Sequence, residues 1–225
     1  PLAQAANEAL AKDCPTVLDL LAARGKRFFF PAKGILAQGA EAKQKAKTAN
    51  ATVGIATEGG APMHLACVNK YFNGLTPAEV FDYAPSYGKP DVRAAWAKKQ
   101  RQETPSLGDH PISNPVVTNA LTHGLGLVGD LFLDPGDQVL SSDLMWENYN
   151  LNWETRLEAR FDYFPFFDAK LTGFNLAGFT AALAKHRKKK LVVSLNFPNN
   201  PSGYTPTRAE MEGIAKALTA EAEAG

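Results

Sequence analysis

The sequence predicts an α/β protein with a largely parallel sheet covered by helices on both faces, a three-layer α/β/α fold. From residue 115 onward, short apolar runs alternate with longer segments of helical spacing. Turn residues such as Asp134-Pro135-Gly136-Asp137 separate them, and 45% of the 225 residues are apolar, which is enough to bury a core. Strands that alternate with helices are typical of parallel sheets, because each crossover connection places a helix on a face of the sheet.

The elements of this part of the chain follow one another at even intervals. They are strand 116–119, helix 121–133, strand 138–141, helix 147–159, strand 161–164, helix 175–188, strand 191–195 and helix 207–223. Four strands alone would leave an unfinished sheet edge. We therefore expect the chain to be a portion of a longer protein, with the sheet incomplete on its carboxyl-terminal side.

The first 115 residues are less regular. Phe28-Phe29-Phe30-Pro31 is an apolar patch that predicts packing on a neighbouring segment or an arm that reaches another subunit. Residues 52–75 are glycine-rich and irregular. Helices are predicted at 1–24, 37–49, 77–81 and 89–103.

Composition excludes several classes of function. With 24 Lys and Arg against 23 Asp and Glu, bulk charge indicates neither a nucleic-acid-binding protein nor one that binds an anionic membrane. No apolar run approaches the roughly 20 residues of a membrane span. The four histidines lack metal-ligand spacing, and two separated cysteines, Cys14 and Cys67, favour a reducing, cytoplasmic setting.

The loop Asn196-Phe197-Pro198-Asn199-Asn200-Pro201-Ser202-Gly203 carries the strongest chemical signal. It follows the strand 191–195, and ligands of open α/β sheets bind where strands end at the carboxyl edge. The Asn200 amide there can donate a hydrogen bond to a phenolate-like ligand oxygen. Alternatively, Asn200 is a turn residue that caps the loop before Pro201.

Two further positions favour a ligand site at the same edge. A helix that begins at Leu121 and Thr122 exposes unpaired N–H groups to an anion, and the Thr122 hydroxyl adds a donor; an ordinary first helical turn is the alternative. Trp146 follows strand 138–141, where its indole can stack on a flat heteroaromatic ring or pack in the core.

These segments occur in an order that resembles the class I and II aminotransferases, pyridoxal-phosphate enzymes of fold type I. Asn200-Pro201-Ser202-Gly203 resembles their Asn-Pro-[Thr/Ser]-Gly signature. The segment from Tyr83 to Arg93, Tyr-Ala-Pro-Ser-Tyr-Gly-Lys-Pro-Asp-Val-Arg, is similar to their Tyr-x-Pro-x-x-Gly-x-Pro-x-x-Arg segment. The resemblance spans roughly residues 50–215 of this sequence.

The resemblance implies a role for each site residue. Asn200 would hold the 3-oxygen of pyridoxal phosphate, Trp146 would cover one face of its ring, and Leu121 and Thr122 would lie at its phosphate. Ala120-Leu121 stands where Gly or Ser is common in the family, so more of the phosphate contact would fall on backbone amides.

The resemblance also implies contacts outside the sheet. Tyr83 would reach the phosphate of a partner subunit in a homodimer with shared active sites, while Arg93 supports its own segment. Gly60 would lie by the substrate carboxylate, with Gly59 as the alternative register; alternatively, both are ordinary turn glycines. Residues 1–75 would form an arm and part of the small domain, and 76–225 the first portion of the large, coenzyme-binding domain.

The implied reaction is amino-group transfer from an amino acid to a 2-oxo acid. Its Schiff-base lysine is expected beyond the end of this chain, so no catalytic residue is assigned and the chain alone is expected to be inactive. Lys89 lies in the segment from Tyr83 to Arg93 that would form the dimer interface, so it is excluded as the Schiff-base lysine. Lys185 to Lys190 are excluded from the same role because they lie at the amino edge of the sheet. A decarboxylase or lyase with the same coenzyme, and a non-catalytic module that retains the fold, remain alternatives.

Overall fold

The computed structural model of the protein describes residues 2–28, 35–50, 52 and 54–224. Most of the predicted apolar arm, residues 29–31, lies outside them. The chain divides into two units, one formed by Pro1–Phe28 with Thr118–Gly225 and the other by Phe29–Val117. The division predicted from the sequence, 1–75 and 76–225, stays a prediction.

The first unit contains the sheet, whose strands are all parallel. The strand Gln138–Ser142 (β3) lies between Arg160–Phe164 (β4) and Leu191–Val193 (β5), and Gln138 of β3 faces Arg160 and Leu191 of its neighbours. Its elements are α1 Leu2–Asp13, α2 Pro15–Leu20, α3 Ala23–Arg27, α8 Ala120–Phe132, β3 Gln138–Ser142, a π-helix Asn150–Thr155, β4 Arg160–Phe164, α9 Leu176–Lys185, β5 Leu191–Val193 and α10 Arg208–Glu223.

The second unit is mainly helical and includes a two-stranded antiparallel hairpin. Its elements are α4 Ile35–Lys45, β1 Thr57–Glu58, β2 Ala61–Pro62, α5 Ala66–Asn69, α6 Pro77–Phe81 and α7 Pro90–Glu103, with short 3-10 turns at Lys70–Phe72 and Pro105–Leu107. The predicted helix 77–81 is confirmed. Thr76 and Glu79 form a capping box at its start, and Pro77 occupies its first turn.

Each face of the sheet has its own core, because successive side chains of a strand point to opposite faces. Val139 and Leu140 of β3 are both fully buried, yet they belong to different clusters. On one face Leu140 packs with Phe164 and Phe179 and with residues of α10. On the other, Val139 packs with Trp153, Leu125 and Leu133. This arrangement confirms the predicted parallel α/β architecture with helices on both faces.

The predicted strand 116–119 is wrong. In the structure this segment forms no strand and pairs with no strand among the described residues. The Val117 N–H donates to the Tyr87 carbonyl at 3.0 Å, and about half of the Val116 and Val117 surface is exposed. Apolar, β-branched residues favour an extended backbone, but a strand also requires a partner that the local sequence does not specify.

Two predicted helices differ from their expected form. The segment predicted as helix 1–24 is three helices. The first break lies at Cys14, because Pro15 lacks an N–H and disfavours helical geometry at the residue before it. The predicted helix 147–159 contains the π-helix Asn150–Thr155 in place of regular α-helical turns. Apolar periodicity cannot separate a π-turn from an α-turn over so short a span.

Candidate functional site

The helix α8 begins at the same edge of the sheet at which β3 ends. Its 13 residues span about 20 Å, comparable to the length of the 5-residue β3. The turn Asp134-Pro135-Gly136-Asp137 connects its carboxyl end to the start of β3. Leu125 in the middle of the helix and Leu133 just past its end pack on the cluster that contains Val139. The helix therefore runs along the sheet face, with its N-terminus at the carboxyl edge of the strands.

Leu121 and Thr122 lie in the exposed first turn of α8. The first-turn N–H groups of a helix have no acceptor within the helix and carry the positive end of its dipole. The Asn119 N–H just before them is already used, since it donates to His123 Nδ1 at 3.0 Å. Ala120 has φ 63, a left-handed conformation that favours glycine. The backbone of this turn thus has the form expected where the family commonly has Gly.

The π-helix and Arg156, the residue that follows it, hold the first half of α8 by hydrogen bonds to its carbonyls. Asn152 Nδ2 donates to the Thr122 carbonyl at 3.3 Å, and Trp153 Nε1 donates to the Leu125 carbonyl at 2.9 Å. Arg156 Nη2 donates to the next carbonyl along, at 3.1 Å. These three bonds hold the first half of α8 through its carbonyls, and none of them uses the first-turn N–H groups of Leu121 and Thr122.

Trp146 lies in the loop that follows β3 and is half-buried. Its indole packs beside the cluster that contains Val139 and meets Tyr149 edge to face, with 6.0 Å between ring centroids. Burial raises the pKa of the Tyr149 hydroxyl. The indole thus packs partly on the core, and its stacking on a ligand ring stays a prediction.

Asn200 is exposed in the loop that follows β5. Its backbone N–H donates to Asn196 Oδ1 at 2.8 Å, which fixes the main chain at this position. Within the residues described here, the Asn200 side-chain amide makes no hydrogen bond. An amide held by its backbone and free at its tip is suited to donate to a ligand.

Asn199, the neighbour of Asn200, is 5% exposed and joins the two loops. Its Nδ2 donates to the Leu144 carbonyl at 3.1 Å, two residues before Trp146. Its Oδ1 accepts hydrogen bonds from the Ser202 N–H at 3.1 Å and the Ser202 hydroxyl at 2.6 Å. The loops after β3 and β5 are thereby brought together at the carboxyl edge, on the sheet that α8 also covers.

Sequence reasoning did not identify Asn199 or the π-helix residues as part of this site. The Asn199-Asn200 pair is a visible signal in the sequence, because a second amide beside a candidate ligand-binding residue needs hydrogen-bond partners of its own. Those partners include Leu144, which is 55 residues away. The roles of Asn152 and Arg156 had no sequence signal beyond their polar character.

Tyr83 and Gly60, also predicted from the resemblance, lie in the other unit. Tyr83 is 98% exposed in the turn after α6. Gly60 has φ 81 in the turn between β1 and β2, with Gly59 beside it at φ 57. Arg93 supports its segment as expected, since its Nε donates to the Pro115 carbonyl at 2.6 Å and its guanidinium lies over the Tyr87 ring.

Lys190, the last lysine before β5, is engaged at the opposite edge of the sheet. Lys190 Nζ lies 2.6 Å from Asp137 Oδ2 and 3.8 Å from Asp134 Oδ2, in the turn that precedes β3. The hydrogen bond from Lys190, more than any other contact, lowers the pKa of Asp137. This position at the amino edge excludes Lys190 from the ligand site, as the sequence predicted.

Comparison with known proteins identifies the family of the chain. The model of the family "Aminotransferase class I and II" matches residues 65–222. No curated protein sequence matches the chain. No described helix combines the length and apolar character needed to cross a membrane.

Three solved structures illustrate the likeness in fold. An aminotransferase from Anaerococcus prevotii is 21% identical, with a TM-score of 0.76 over 91% of this chain and 51% of its own. An aromatic amino acid aminotransferase from Psychrobacter sp. B6, cocrystallised with aspartic acid, is 19% identical, with a TM-score of 0.71 over 86% and 50%. Aspartate aminotransferase from Saccharomyces cerevisiae cytoplasm is 19% identical, with a TM-score of 0.69 over 92% and 50%.

This chain spans about half the length of these structures. At such identities the likeness establishes the fold, the partial α/β domain of fold type I. The family match covers well over half of the chain and contains the Asn-Pro-Ser-Gly loop and the start of α8. The chain therefore belongs to the class I and II aminotransferase family.

Proposed function

We propose that the protein that carries this chain is a pyridoxal-phosphate-dependent aminotransferase, which moves an amino group from an amino acid to a 2-oxo acid. Members of this family generally use that coenzyme. The observation that carries the proposal is the convergence of three features on the carboxyl edge of the sheet: the start of α8, the Trp146 loop and the Asn200 loop, the last two joined through Asn199 and Leu144.

The residues at this edge fit the coenzyme group by group. The first-turn N–H groups at Leu121 and Thr122, with the Thr122 hydroxyl, suit a phosphate. The accessible part of the Trp146 indole suits the face of a pyridine ring. The Asn200 amide suits the ring's phenolic oxygen, where its hydrogen bond would tune the electron demand of the ring. When bound, pyridoxal phosphate supplies an electron sink for bonds at the substrate α-carbon.

The remaining parts of the site belong to the same proposal. The lysine that binds the coenzyme covalently would lie outside these 225 residues, and residues 76–225 would form the first portion of the coenzyme-binding domain. Tyr83 would complete the site of a partner subunit in a homodimer, and Gly60 would lie by the substrate carboxylate. The exposed, free thiols of Cys14 and Cys67 are compatible with the cytoplasmic location proposed from the sequence.

Amino-group transfer tests the proposal directly. The whole protein, loaded with pyridoxal phosphate, is incubated with a panel of amino acids and 2-oxoglutarate, and glutamate is measured. We expect glutamate formation, and we expect Asn200→Ala to lower kcat/KM by about tenfold, since the lost hydrogen bond involves a charged oxygen. Asn73→Ala is the matched control, because Asn73 is an exposed asparagine of the other unit.

Other products would decide against the proposal. Release of ammonia or carbon dioxide without transfer would identify a lyase or decarboxylase with the same coenzyme. Absence of any coenzyme-dependent reaction across the panel would favour a non-catalytic module. The 225-residue chain alone is expected to show no visible Schiff-base absorbance and no borohydride-fixed coenzyme, and a reducible band in the isolated chain would contradict the placement of the lysine.

A further inference from the structure

We propose that Asn199 is a positioning residue that couples the Trp146 loop to the Asn200 loop, so that both ligand groups stand in place before the coenzyme arrives. The inference rests on the proposed function. Asn199 itself would not contact the coenzyme. Its effect passes through one cross-loop hydrogen bond, from Asn199 Nδ2 to the Leu144 carbonyl at 3.1 Å.

The orientation of the Asn199 amide is fixed by its surroundings. The Leu144 carbonyl can only accept, so Nδ2 must face it, and the Ser202 N–H can only donate, so Oδ1 must face that side. A rotation of the amide by 180° would break both bonds at once. Because the side chain is 5% exposed, water does not readily replace either partner. The residue therefore holds a single geometry between the two loops.

The Leu144 carbonyl in the Trp146 loop accepts two hydrogen bonds. Besides the bond from Asn199 Nδ2, it accepts one from the Ser142 hydroxyl at 2.8 Å, and Ser142 is buried at the end of β3. One donor thus connects the loop to its own strand, and the other connects it to the loop after β5. Of the two, only the bond from Asn199 fixes the Trp146 loop relative to the loop that carries Asn200.

Neighbouring contacts hold each loop by itself but do not replace this link. Asp143 N–H donates to the Phe164 carbonyl at 3.0 Å, and Asp143 Oδ1 accepts from the Phe166 N–H at 2.8 Å, which holds the Trp146 loop to the segment after β4. Asn199 Oδ1 and Ser202 close the other loop locally. Loss of the Asn199 donor would leave the two loops joined by apolar packing, in which Leu144 and Phe197 contact one cluster, without the hydrogen bond that gives their contact a defined direction.

The test uses two isosteric or near-isosteric changes on the two sides of the same amide. Asn199→Asp keeps the acceptor for Ser202 and replaces the donor, so that a carboxylate oxygen faces the Leu144 carbonyl. Ser202→Ala removes a local bond and keeps the cross-loop bond. Asn199→Ser, which is neutral and too short to reach Leu144, removes the donor without a buried charge and guards against misfolding of the aspartate variant. It also removes the Oδ1 acceptor of Ser202, a local loss for which Ser202→Ala is the control.

Hydrogen exchange of the full chain without coenzyme gives the first readout. We expect both Asn199 variants to accelerate exchange in residues 143–149, and Ser202→Ala to accelerate it only in residues 199–204. The second readout is the dissociation constant for pyridoxal phosphate in the whole protein, which we expect to rise about tenfold in the Asn199 variants and less than about threefold in Ser202→Ala.

The outcomes separate the two proposals. Unchanged exchange in residues 143–149 in both Asn199 variants, or equal losses of affinity in the Asn199 and Ser202 variants, would overturn the role of Asn199. Failure of the wild-type protein to bind pyridoxal phosphate would instead overturn the proposed function. Faster exchange together with weaker binding, confined to the Asn199 variants, would support the inference.

Discussion

The Tyr204 hydroxyl lies 2.9 and 3.0 Å from the two carboxylate oxygens of Glu210. The same carboxylate accepts hydrogen bonds from the Phe174 N–H at 2.6 Å and from the Thr207 N–H at 2.7 Å, the latter as part of the capping box of α10. Glu210 thus joins the end of the Asn-Pro-Ser-Gly loop, the start of α10 and the segment before α9. The loop that carries Asn200 is held at its far end by this junction.

Replacement of Glu210 by alanine should lower the free energy of unfolding by about 2 kcal/mol, since it removes a helix cap and leaves the N–H of the buried Phe174 without a partner. Glu212→Ala is the matched control, because Glu212 is an exposed carboxylate of the same helix. Urea denaturation of both variants measures the difference. Similar losses in the two variants would contradict the junction.

The stability supplied by Glu210 should depend on pH. Burial alone raises the pKa of Glu210, but hydrogen bonds from Thr207, Phe174 and Tyr204 outweigh burial, and the net pKa is lowered. A carboxyl with a lowered folded-state pKa stabilises the fold fully above its unfolded pKa, about 4.3 for Glu, and loses that contribution as pH falls through the folded pKa. The stability advantage of the wild type over Glu210→Gln should therefore shrink in acid, and an advantage that grows in acid would contradict the sign.

Two glycines of α8 should respond to alanine in opposite directions. A Cβ at Gly129 would lie 2.6 Å from Leu157 Cδ1 and 2.8 Å from Trp153 Cδ1, so Gly129→Ala should destabilise by about 1–3 kcal/mol. A Cβ at Gly126 meets nothing closer than 3.7 Å, so Gly126→Ala should stabilise by up to about 1 kcal/mol through helix propensity. Thermal unfolding of both variants compares them, and equal shifts would contradict the close packing of α8 on the π-helix.

Ala120 should be better replaced by glycine. The left-handed φ of 63 costs an L-residue about 1 kcal/mol, which glycine avoids, although glycine adds entropy to the unfolded chain. We expect Ala120→Gly to be neutral or to stabilise by up to about 1 kcal/mol. Ala184→Gly, at an exposed position within α9, should instead destabilise by about 1 kcal/mol. Equal losses in chemical denaturation would show that Ala120 is not strained.

Local signals explain which parts of the fold were predictable. The capping residues Thr76 and Thr207 and the proline at position 77 lie within a few residues of the helices that they start, so the sequence alone located α6 and α10. The segment 116–119 has side chains that favour a strand, but strand pairing depends on residues far away in the sequence. Its strand is therefore wrongly predicted. The π-helix was not predicted for a similar reason, since its side chains donate hydrogen bonds to carbonyls of α8, about 30 residues earlier in the sequence.

The residues of the candidate site also differ in whether the local sequence predicts them. The positions of Trp146 and Asn200 follow from the ends of their own strands, which the apolar pattern indicates. Asn199 and Asn152 act through Leu144 and Thr122, which are distant in the sequence and are revealed only when the sheet brings them together. The sequence therefore suggests which groups would touch a ligand, while the structure shows what holds them.

The most direct test is a crystal structure of the whole protein with pyridoxal phosphate. We expect the phosphate at the first turn of α8 beside Leu121 and Thr122, the ring against the Trp146 indole, and the Asn200 amide within hydrogen-bond distance of the phenolic oxygen. A coenzyme bound away from this edge, or an Asn200 amide more than about 4 Å from that oxygen, would contradict the account.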